Sequence, residues 1–84
     1  MITLYSWRAS APGTDGGGVT DAEDSARAAA AAWMREHRTD NAVVDQVQLI
    51  LGGWGLLMAY ERTGLTWTGR RRGNHRITWT ARRS

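Results

Sequence analysis

The stretch AVVDQVQLILGGWGLLMAYER, residues 42–62, decides the fold. Val43, Val44, Val47, Ile50 and Leu51 fall on a helical stripe. Three valines and an isoleucine nevertheless favour an extended chain, and GGWG followed by the mirrored apolar run LLMAY is the pattern of a hairpin. Residues 42–51 are therefore expected to be a strand. Residues 56–63 stay open between a strand and a short helix, because LLMAYER contains good helix formers and Gly64 would suit a helix end. Trp54, between Gly53 and Gly55 at the tip of the break, is expected to be at least partly exposed. That makes it a candidate partner-binding residue.

Upstream lies VTDAEDSARAAAAAWMREHRTD, the clearest helix of the chain. Thr20 and Glu23 have the spacing of a capping box. Asp21, Glu23 and Asp24 at the start and Arg35, His37 and Arg38 at the end complement the helix dipole. Glu23 and Arg27 stand in the favourable order for an i,i+4 pair. Ala22, Ala26, Ala29, Ala30, Trp33, Met34 and His37 form one stripe, narrow enough to lie close to a sheet. Before the helix, residues 2–9 alternate as a strand does, and SAPGTDGGG, residues 10–18, reads as a flexible glycine-rich connection.

Downstream, residues 65–81 form a basic β-hairpin around TGRRRGNH. With Arg71-Arg72-Gly73 as a three-residue loop, Trp67 faces Ile77, Leu65 faces Trp79 and Arg70 faces Asn74. Leu65, Trp67, Ile77 and Trp79 then share one face, and Thr66, Thr68, Arg76, Thr78 and Thr80 share the other. The expected architecture is a single α+β domain over residues 1–84, in the order β-α-β-β-β. One long helix packs on a three- to four-stranded antiparallel sheet.

Composition narrows the function. The 84 residues contain no cysteine, which excludes disulfides and thiolate zinc sites, and the two histidines match no metal-ligand spacing. No cofactor is expected. The apolar run at 49–60 is too short to span a membrane, and MITLYSWRAS lacks the pattern of a secretory leader, so a cytoplasmic location is expected. All eleven basic residues are arginine, a usage that, with abundant Ala and Gly, suggests a GC-rich bacterial genome. GTDGGG, residues 13–18, has the glycines of a phosphate loop but not its Lys-Ser or Lys-Thr.

Charge is distributed unevenly. The eight acids all precede residue 62 and meet only four arginines there, a net −4, whereas residues 62–84 carry seven arginines and no acid, a net +7. Such a split suggests a footprint on an acidic partner: nucleic acid, DNA or RNA, or an acidic protein surface. Arg62, Arg70, Arg71, Arg72, Arg76, Arg82 and Arg83 are the candidate nucleic-acid-binding residues, since guanidinium forks suit phosphate oxygens. The alternatives are a protein-interaction module, with homodimerisation through sheet edges or Trp54, and a basic tail that pairs with the protein's own acidic helix.

Residues 56–80, LLMAYERTGLTWTGRRRGNHRITWT, resemble the middle of the HicA-type toxins, small mRNA-cleaving proteins with a double-stranded-RNA-binding-like fold. The resemblance rests on Gly64, at a position where that family ends a helix, and on Gly73-Asn74-His75, where it has Gly-Ser-His opening a strand. It implies a ribonuclease in which His75 is catalytic. Asn74 stands in place of the serine, and residues 1–84 hold no counterpart of that family's third strand and closing helix. The chain's own residues favour a non-enzymatic binding module, because no acid lies near His75 in sequence to orient it.

Overall fold

The glycine-rich segment is built into the sheet. In the computed structural model, which describes residues 2–51, 58–73 and 76–83, the elements run β1 (Ile2–Ala11), β2 (Thr14–Thr20), α1 (Glu23–His37), β3 (Asn41–Leu51), β4 (Met58–Arg72) and β5 (Arg76–Arg83). The five strands form one antiparallel sheet in the order β2-β1-β3-β4-β5. The α+β class and the single long helix are as expected. The order is β-β-α-β-β-β rather than β-α-β-β-β, because residues 10–18 are the end of β1, a tight turn and most of β2.

Tryptophan side chains explain this difference. Gly18 lies opposite Trp7, and a Cβ on Gly18 would stand 2.7 Å from the Trp7 indole nitrogen. A Cβ on Gly16 would collide with the Trp33 ring that reaches down from α1. The glycines act as floors for indole rings, so a segment with almost no side chains still buries apolar surface. Pro12-Gly13 supplies the reversal, with Gly13 at φ 82°, the third-position value of a type II turn.

The helix starts at Glu23 with Ala22 as N-cap and no side-chain cap. Thr20 does not form the capping box: its hydroxyl donates to the Ala22 carbonyl at 2.7 Å, because Thr20 is still paired as the last residue of β2. Arg27 bridges Glu23 and Asp24, each at 2.8 Å. At the other end Arg38 takes a left-handed conformation at φ 53°, and the Thr39 amide donates to the Met34 carbonyl. His37 is half-buried, stacked on Trp33 with centroids 4.0 Å apart.

α1 lies across β1, β3 and β2. Ala26, Ala30, Ala31 and Met34 are buried under it, against Ala9, Ala42, Val44 and Trp67 of the sheet. Alanines on both sides allow close approach, while Trp7, Trp33 and Trp79 close the periphery. The molecule is only 19 Å thick along its shortest axis. That accommodates a sheet and one helix layer, since a further layer would add about 10 Å. Among the described residues nothing packs on the opposite face of the sheet.

Residues 42–51 are a strand as expected, and residues 58–63 belong to β4, so the short helix ending at Gly64 does not form. Gly64, at φ 98°, sits instead where the β3–β4 pairing shifts between Asp45↔Thr66 and Val47↔Arg62. This bulge inserts an even number of residues, so Arg62 and Thr66 stay on the same side of the sheet. The β4–β5 hairpin keeps its predicted faces but not its register. Gly69 faces Trp79, Arg70 faces Thr78 and Trp67 faces Ala81. The slide places the Trp79 ring over Gly69, 2.7 Å from where a Cβ would be. It also carries β4 on to Arg72 and starts β5 at Arg76, with Gly73 at φ 56°. Among the described residues no helix is long and apolar enough to cross a membrane.

Candidate nucleic-acid interface

Strand alternation sorts the arginines. Even-numbered residues of β4 and β5 point to the open side of the sheet, and odd-numbered ones point to the helix side. Thr68, Arg70 and Arg72 of β4 and Thr78, Thr80 and Arg82 of β5 line a shallow open groove of about 330 Å³. Arg76, paired with Arg72, continues it. Arg83, at the end of β5, borders a neighbouring depression with Gly64, Thr66, Thr68 and Arg82. Successive same-face arginines on one strand, Arg70 and Arg72, stand about 7 Å apart, two residue rises. That is close to the separation of successive phosphates along a nucleic-acid strand.

Arg71 belongs elsewhere. It points to the helix side, where Nη2 donates to Asp40 Oδ1 at 3.2 Å and to the Arg38 carbonyl at 3.4 Å. Its amide donates to the Asp40 carbonyl at 3.0 Å. It ties the hairpin to the end of α1, and its side chain is only 20 % exposed. The central arginine of the RRR run is thus a brace between its two outward neighbours.

Towards β1 the open face carries a second cluster, centred on Asp45. Its side chain is 10 % exposed. Oδ1 accepts from the Thr66 hydroxyl at 2.8 Å. Oδ2 lies 3.7 Å from Arg8 Nη2 and 4.0 Å from Arg62 Nε. These groups border a hollow of about 200 Å³ shared with Ser6, Val19, Val47 and Tyr60. The sequence carried no sign of Asp45 or Arg8 in this role. They are brought to Arg62 and Thr66 by the pairing of β1 with β3 and of β3 with β4.

Most of the C-terminal positive charge gathers on one face of the sheet. Among the described residues, Arg8, Arg62, Arg70, Arg72, Arg76 and Arg82 share the open face. The acids on that side are Asp45, already between two guanidiniums, and Asp15 at the end of β2. Glu23, Asp24 and Glu36 lie on α1. The indoles of Trp67 and Trp79 face the helix, as the alternation predicted, and among the described residues Tyr60, 57 % exposed, is the aromatic ring on the open side.

Two candidates from the sequence, Trp54 and His75, lie outside the described residues. The helix that the toxin resemblance implies before Gly64 is replaced by β4. Among the described residues no group of three or more His, Cys, Asp or Glu side chains converges as a metal site would require. Compared with protein-family models, with curated proteins and with solved structures, the chain matches none.

Proposed function

We propose that the protein is a small non-enzymatic nucleic-acid-binding module whose grip is the open face of its sheet. The observation that carries this reading is the segregation of six arginines and a threonine ladder onto the sheet face opposite α1, which no described element covers. Arginines supply phosphate contacts, and threonine hydroxyls supply neutral donors and acceptors between them.

The shape of the sheet supports a face-on grip rather than a groove-reading ribbon. Five strands span about 19 Å, wider than the major groove of about 12 Å. The β4–β5 hairpin continues past its pairing with Asn41 by two residues on each strand, and Arg71 fastens it there. The paired part of that ribbon projects about 7 Å, less than the depth of a groove, about 8.5 Å. A strand of nucleic acid laid across the face meets the arginines without either restriction.

Fluorescence-anisotropy titration of single-stranded RNA, single-stranded DNA and duplex DNA at several salt concentrations tests the proposal. Binding is expected to weaken linearly in log–log form, with a slope of about −3.5 to −4.2 for five or six phosphates on a single strand. Absence of binding at low salt removes the proposal.

A second reading, self-association, is favoured by Ile2 at 56 % and Val19 at 48 % exposure next to the uncovered edge of β2. It predicts a mass that rises with protein concentration in the absence of nucleic acid.

A further inference from the structure

We propose that the hollow beside Tyr60 is a base pocket, which seats one base of a single-stranded nucleic acid and selects guanine. This rests on the nucleic-acid reading of the open face, and it adds a specificity that the arginine track alone does not have.

Asp45 forms the floor of the hollow. It is on the central strand, nine-tenths buried, and one carboxylate oxygen has a short bond from Thr66. The other is approached by Arg8 and Arg62 only at 3.7 and 4.0 Å, beyond hydrogen-bonding distance. A carboxylate at this depth normally takes short bonds on both oxygens. Its remaining acceptor capacity is turned to the hollow that it lines.

The walls are of a different kind. Val47 is buried, while Val19 and Tyr60 stand about half exposed at the rim. A ring and two branched aliphatic chains suit the flat face of a heterocycle. The volume, about 200 Å³, is below the usual range for cofactor-sized ligands of about 300–1,000 Å³. A single planar group is the ligand of matching size.

Edge chemistry then selects the base. A carboxylate held between guanidiniums accepts hydrogen bonds and donates none, so it favours two adjacent N–H donors. Guanine presents these at N1 and the 2-amino group. Adenine and cytosine place an acceptor beside their amino group, and uracil flanks its single N–H with carbonyls. The Watson–Crick edge is occupied in a duplex and free in a single strand. Arg8 and Arg62 at the rim are placed to take the phosphates on either side of the seated nucleotide.

The test uses the full chain and short labelled oligonucleotides, RNA and DNA, of uridine or thymidine with one central guanine, inosine, adenine or cytosine. Inosine keeps N1–H and lacks the 2-amino group. The guanine oligonucleotide is expected to bind about ten-fold more tightly than the inosine one, within the discrimination of a bidentate contact. Asp45→Asn, with its fold checked by circular dichroism, should erase that preference. Tyr60→Ala, at an exposed position, should weaken binding of every oligonucleotide with a central purine by about ten-fold through lost stacking. Equal affinity for all four central bases, with salt-dependent binding intact, overturns the base pocket and leaves the arginine grip standing. No binding of any oligonucleotide at low salt removes both.

Discussion

Gly69 carries no side chain because Trp79 occupies the space above it. Gly69→Val would drive a branched side chain into that ring. It should cost about 2–3 kcal/mol as overpacking in a filled site, read as a lowered denaturation midpoint. The same strand contains a sharper contrast. Arg70 and Arg71 are neighbours in sequence, and they face opposite sides of the sheet with opposite roles. Arg71→Ala should cost about 1 kcal/mol of stability through its lost side-chain hydrogen bonds and leave nucleic-acid affinity nearly unchanged. Arg70→Ala should leave stability unchanged and weaken binding several-fold. Thermal melts and anisotropy on the two variants check this. The sides of the hairpin were legible in the sequence, since alternation needs only parity. Its register was not, because the decisive contact joins a tryptophan to the absence of a side chain, which no hydrophobic pattern records.

At the scale of elements, α1 was legible, with its start two residues later than the Thr20 cap implied, because its stripe, terminal charges and Glu23–Arg27 pair all point the same way. The capping box at Thr20 was not realised, since the residue was already committed to β2. Strand β2 itself was hidden. TDGGGVT has little strand propensity, and it pairs because rings from β1 and α1 provide the apolar surface that it lacks. Trp33→Ala removes the cover of Gly16 and should cost about 2–3 kcal/mol, at or below the low end for a fully buried tryptophan because Trp33 is half-buried. In native-state hydrogen exchange the amides of β2 should lose protection first, while those of β3 and β4 keep theirs. Uniform loss across all strands would mean that β2 is held by its ladder alone. The strand assignment of 42–51 held for the reason first given, branched residues before a glycine break. The alternative helix before Gly64 failed because a continuous β4 pairs with β3 on both sides of the bulge.

On the scale of the whole molecule, the uneven charge along the chain was plain in the sequence, but its direction in space was not. Most of the charge of the +7 segment comes to one face because the even-numbered arginines of β4 and β5 point away from the helix, while Arg71 turns towards it. Arg8 and Asp45 joined the site through pairings between segments about forty residues apart, a distance at which local pattern carries no information. The account also predicts that charge on the helix side has little bearing on binding. Arg35 and Arg38 are exposed there, so Arg35→Gln with Arg38→Gln changes net charge as much as Arg70→Gln with Arg72→Gln does.

The comparison of these two charge-matched double variants, by salt-dependent anisotropy on one single-stranded oligonucleotide, tests the central claim most directly. If the open face is the grip, the Arg70/Arg72 variant loses at least ten-fold in affinity at low salt and its log–log slope falls by about 1.4, the value for two phosphate contacts on a single strand. The Arg35/Arg38 variant should stay within about two-fold of the unmodified protein, with an unchanged slope, because its removed charges lie away from the bound strand. Equal losses in the two variants would contradict the account, since they would show attraction by net charge with no face preferred.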